Sequence, residues 1–110
     1  MKIPLGRIAA VFSGALGGAA TIGVIARNGF HYPTLVREVT AARVKERLGA
    51  LAPGPVERYE LPNLGALNFV VPGALDGGGE VSLLPDAEGR TLAGALPGME
   101  IEIDEHELAG

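Results

Sequence analysis

Few side chains in this chain are of types that could do chemistry, and each has a plain reading beside the chemical one. His31 follows Gly29-Phe30 and precedes Tyr32-Pro33; a lone histidine at a helix entrance reads as solvated or capping before it reads as catalytic. His106 sits in the acidic tail DEHELAG, and its EHEL is not the HExxH that puts two zinc-ligating histidines on one helical face. Cysteine is absent, which excludes a disulfide framework, a thiolate metal site and a cysteine nucleophile together. No metal site and no cofactor is expected. Asp104, Glu105 and Glu107 could together hold a hard cation, but a charged terminal tail reads first as solubilising.

Ser13 has neither a histidine nor an acid near it in sequence to activate it. The loop Gly14-Ala15-Leu16-Gly17-Gly18 could present backbone N–H groups to an anion. It lacks the lysine and hydroxyl of a phosphate-binding loop and reads first as a tight turn, with Leu16 as an exposed apolar residue that seeks a partner's cover. Asn68 interrupts the apolar run ALNFVV. Burying an amide requires partners, so it either ties down the neighbouring turn or faces a ligand. Arg58, Tyr59 and Glu60 read as the exposed and packing sides of a strand, although an arginine beside such a site could hold a carboxylate.

The elements that must position these residues follow from spacing. Residues 8 to 26 carry no charge and approach the ~20 residues of a membrane span. Their centre, SGALGGAAT, is too rich in glycine and alanine for insertion, and the glycines break the run a signal peptide would need. The segment reads as two strands, Ile8–Phe12 and Ile22–Ala26, joined by a glycine-rich turn, and a cytoplasmic protein is expected. Pro33 suits a first helical turn, with Leu35, Val36, Val39, Val44 and Leu48 at helical spacing. Thr40 could be an N-cap dividing two short helices, and Gly49 a C-terminal stop. VERYELP alternates as a half-exposed strand, Asn63-Leu64-Gly65 turns, and ALNFVV returns as its hairpin partner. Val81–Leu84 reads as a short edge strand, and a helix is expected from about Glu88 to Leu96. Met99–Ile103 alternates and is expected to close the sheet with its acids outward.

That order defines an α+β class, a ferredoxin-like two-layer sandwich with helices on one face of an antiparallel sheet, formed by residues 1–110 as a single domain. The bare face of such a sheet is available to a partner. A formal charge of −4 with dispersed basic residues argues against nucleic acid, whose affinity comes from clustered cations. Arg43, Lys45 and Arg47 read as the wet side of a helix.

The segments TIGVIAR, YPTLVREVTAARVKERLG, GPVERYELPNLGALNFVVPGAL and SLLPDAEGRTLAGAL resemble the small domain of the acyclic terpene utilisation (AtuA-like) family. RYELPNLGALNF is the most specific part. The resemblance implies a ferredoxin-like fold, either fused behind a larger α/β domain or made as a separate small subunit beside it, in acyclic-terpene and acyl-CoA catabolism. One loop departs from the family pattern. Ala15, Leu16 and Gly18 stand where relatives carry Asp, Lys and Asp, and Thr21 where they carry Asn, while Ser13, Gly14 and Gly17 remain.

Two functions of different class follow. One is the small subunit or accessory domain of a two-component AtuA-like enzyme acting on an acyl-CoA or related acyl ligand by hydratase or lyase-type chemistry, inactive alone. The other is a stand-alone protein-binding or oligomerisation module. Ser13, Gly14, Gly17, Arg58 and Asn68 are the candidate binding residues and Leu16 the candidate partner contact. The expected partners are a larger AtuA-like subunit, a second copy of the chain, or both, with no nucleic acid and no membrane.

Overall fold

The computed structural model describes residues 1–16, 19–72 and 92–109, with only the backbone described at 15, 16, 92 and 93. The uncharged stretch is a β-hairpin. Strands β2 (Ala9–Leu16) and β3 (Ala19–Ala26) pair antiparallel from Ala9↔Ala26 to Leu16↔Ala19. Among the described residues no helix is long and apolar enough to cross a membrane.

The strands run further into the small residues than the apolar runs suggest. Ser13 and Gly14, expected in a turn, are ladder residues opposite Ile22 and Thr21. Small residues are poor strand formers by propensity, but pairing on both sides of β3 holds them there. Ala20 and Thr21 face Val71 and Val70 on the next strand. Gly17 and position 18 lie outside the described residues, as does the side chain of Leu16.

The second hairpin forms where the alternation places it. Strand β4 (Glu57–Leu61) and strand β5 (Ala66–Val71) are joined through Gly65, whose left-handed backbone at φ +60° strains any residue with a Cβ. With β5 also paired to β3, the sheet order is β2-β3-β5-β4, all antiparallel.

Helix α1 (Tyr32–Glu38) starts with Pro33 in its first turn. Helix α2 (Ala41–Leu48) is capped by Thr40, whose side chain accepts from the Arg43 N–H at 3.1 Å, and ends at Gly49 with φ +58°. Leu35, Val39, Val44 and Leu48 are buried in one core with Ile22, Val24, Leu67, Phe69 and Val71, the inner-facing residues of the sheet. Burying these side chains supplies roughly 1.5–3 kcal/mol each and fixes the helices to one face.

The last expected strand goes elsewhere. Strand β1 (Lys2–Pro4) pairs with β6 (Glu100–Glu102) in a separate two-stranded sheet, so Met99–Ile103 does not close the four-stranded one. Its alternation is as read: Met99, Ile101 and Ile103 are buried while Glu100 and Glu102 face out. Ile3 is buried beside them in the same core, and the Met1 ammonium donates to the Ile103 carbonyl at 2.9 Å. Of the expected helix up to Leu96 the structure describes α3 (Leu92–Ala95); Val81–Leu84 lies outside the described residues. The acidic tail forms a short helix, α4 (Glu105–Ala109).

Candidate functional site

Strand parity decides which side chains share a face. Ladder partners point the same way, so one row across the sheet reads Phe12, Gly23, Asn68, Tyr59. The next row is Ala10, Ile25, Ala66, Leu61, and the row on the other side is Gly14, Thr21, Val70, Glu57. The buried inner residues Ile22, Val24, Leu67 and Phe69 have the opposite parity, so these three rows form the face away from the helices.

This outer face is apolar and open. Phe12 is 55% exposed and Tyr59 50%, and Ile25 and Leu61 are exposed as well. A Cβ at Gly23 would meet nothing within 4 Å, so the sheet has a hollow there, flanked by Phe12 on one side and by Asn68, then Tyr59, on the other. Asn68 is half-buried and its amide has no hydrogen-bond partner among the described residues. It does not tie down the turn; it presents two donors and an acceptor to whatever covers the face. The Tyr59 hydroxyl donates to Glu57 at 2.8 Å, and that bond to a carboxylate raises the phenol's pKa. The patch combines aromatic walls, a hollow and one free amide, which suits an apolar ligand or protein surface carrying a polar group.

The other candidate residues are dispersed. Arg58 is paired with Phe69 and has inner parity, so it lies across the sheet from Asn68. Its guanidinium donates to the carbonyls of Val36 at 2.8 Å and Val39 at 3.1 Å, satisfying the C-terminus of α1, and reaches Glu60 at 3.0 Å. Ser13 is exposed but pairs with Ile22 and so points to the inner side. Gly14 shares the outer face with Asn68; a Cβ there would stand 2.9 Å from the Thr21 Oγ1, so a larger residue requires the Thr21 side chain to turn away. Thus the structure brings Gly14 and Asn68 to one face and leaves Ser13 and Arg58 off it.

His31 and the acidic tail are more structural than the sequence suggests. His31 is buried, and its Nε2 lies 2.9 Å from the Glu107 carbonyl. Since a carbonyl only accepts, Nε2 carries the proton, which leaves Nδ1 without a partner among the described residues. The Glu107 carboxylate takes a two-point grip from Arg37 at 2.8 and 3.2 Å and a bond from the Thr34 hydroxyl at 2.8 Å. Arg37 first, then Thr34 and the Asp104 N–H, hold its pKa down to about 2. Glu107 and Asp104 also cap each other, Asp104 N–H to Glu107 at 3.1 Å and Glu107 N–H to Asp104 at 2.8 Å. That reciprocal pair is a capping box, and Asp104-Glu105-His106-Glu107 carries its spacing in the sequence. His106 is exposed on the same helix.

A groove of about 620 Å³ runs between α2 and residues 98–100. Its arginines are committed to backbone. Arg43 donates to the Glu38 carbonyl at 2.9 Å and the Glu100 carbonyl at 2.6 Å, and Arg47 to the Ala95 carbonyl at 2.8 Å. With Glu46 and Glu100 lining the same groove, it has no net charge to attract an anion. No group of three or more His, Cys, Asp or Glu residues that could hold a metal ion occurs among the described residues.

Helices on one face of an antiparallel sheet, with the other face apolar and open, make this a ferredoxin-like α+β domain. The chain belongs to the AtuA ferredoxin-like domain family, whose sequence model matches residues 3–102. No curated protein and no solved structure matches it.

Proposed function

We propose that this protein is the small subunit, or accessory domain, of a two-component AtuA-type enzyme of the cytoplasm that acts on an acyl-CoA or related acyl ligand. In this reading it docks on the large α/β component through the outer face of its sheet and is inactive alone. The observation that carries the reading is the open face itself, where Phe12, Ile25, Tyr59 and Leu61 stand exposed around the Gly23 hollow. Apolar side chains grouped on a regular surface are characteristic of an interaction site, and aromatic residues are enriched at the centres of such interfaces. The free amide of Asn68 supplies the polar contact that fixes orientation.

The test is co-expression with a large AtuA-type domain, followed by purification through a tag on that domain. The small chain is expected to co-purify and to be required for turnover of an acyl-CoA. Tyr59→Lys places a charge on the open face and is expected to abolish co-purification. Turnover by the small chain alone, or co-purification indifferent to Tyr59→Lys, would refute the proposal.

A further inference from the structure

The two edges of the sheet differ. β4 is five residues long and carries Glu57, Arg58 and Glu60, with Arg58 paired to Glu60 at 3.0 Å. Charge on a short edge strand is how sheets avoid unwanted pairing. β2 has none of these guards. It is eight residues long, holds no charged residue and no proline, and keeps an unbroken register with β3, so no bulge turns its outer side away. No described strand pairs with that outer side, and Phe12 and Ser13 at its middle are exposed.

We propose that β2 pairs with β2 of a second copy, antiparallel across a two-fold axis, joining two sheets edge to edge. Charge favours this occupant. Each chain carries a formal −4, so two copies repel wherever their acidic surfaces meet, and the stretch from 8 to 26 is where they can touch without that cost. A second β2 matches the first in length and in its lack of charge, and its outer side is likewise paired by no described strand.

The geometry is restricted further. With the axis normal to the sheet, paired residues must share a face, so the axis passes through a single residue. The midpoint of 9–16 places it at Phe12 or Ser13. Either choice makes the two Phe12 rings direct or diagonal cross-strand neighbours, covering the most exposed of the sheet's large apolar side chains. Both outer faces then lie on one side of a continuous eight-stranded sheet. Pairing at this edge is independent of docking by the open face.

Sedimentation velocity combined with hydrogen exchange tests it on the unmodified chain. A dimer is expected, with the β2 amides that point away from β3 protected in the dimer and exchanging freely on dilution. Ser13→Glu, which brings two carboxylates to the axis, is expected to weaken the dimer at least ~10-fold, whereas Tyr59→Lys on the far edge leaves it intact. A chain that stays monomeric at every accessible concentration, or a dimer whose outward β2 amides exchange freely, would overturn the proposal. Should Ser13→Glu fail to fold, the exchange pattern of the unmodified chain decides alone. Loss of large-domain binding with the dimer intact would count against the proposed function and not against this edge.

Discussion

Asn68 holds its amide between the Gly23 hollow and Tyr59, half-buried and with no bond inside the described structure. Replacing it with leucine removes no internal hydrogen bond, so Asn68→Leu is expected to change stability by no more than about 0.5 kcal/mol while weakening association with the large domain. A thermal melt set beside a binding isotherm checks both halves. Glu107 is the opposite case, a carboxylate whose charged form the fold holds tightly. Its pKa of about 2 lies below the ordinary carboxylate value of 4.5, so its contribution to stability is complete above that value and disappears as pH falls toward 2. The chain is expected to be more stable than its Glu107→Gln variant at pH 7, and urea melts should show that difference shrinking between pH 4.5 and 2. These two residues also show where a sequence is legible. Asn68 announces itself because a polar residue in an apolar strand must be explained. His31 does not, since the carbonyl that buries it belongs to a residue 76 positions away.

Helices α1 and α2 are written in local signals, which is why their ends can be read directly. Pro33 opens one, Thr40 caps the other and Gly49 ends it. Thr40→Ala loses the bond to the Arg43 N–H and is expected to cost about 1 kcal/mol, read as a lower urea midpoint with an unchanged slope. Arg58→Met keeps the apolar stem but frees the carbonyls of Val36 and Val39 at the end of α1. It should therefore lower stability without altering what the open face binds, measured by the same melt and the same isotherm. The small sheet of β1 and β6 could not be read this way. Each strand is three residues long, and they pair Lys2 with Glu102 across nearly the whole chain; no local pattern carries such a contact. The hairpin of β2 and β3 was half legible. Its apolar ends are plain, whereas its glycine-rich middle becomes strand because β5 supports β3 from the other side.

Across the molecule, the described residues keep their charge away from one surface. The acids and bases of α1, α2, β6 and α4 bond mostly to one another or to backbone around the helical layer, and the outer sheet face keeps Glu57, bonded to Tyr59, as its charged member among the described residues. Docking through that face would be by apolar contact, and its dependence on salt should be weak. Association with a large AtuA-type domain is accordingly expected to change little between low and physiological ionic strength. Titration calorimetry of the purified 110-residue chain into that domain decides whether the open face docks. Saturable binding with a negative heat-capacity change, the mark of apolar burial, is expected, and its loss in Tyr59→Lys. Absence of binding, or binding that Tyr59→Lys leaves untouched, would overturn docking by the open face.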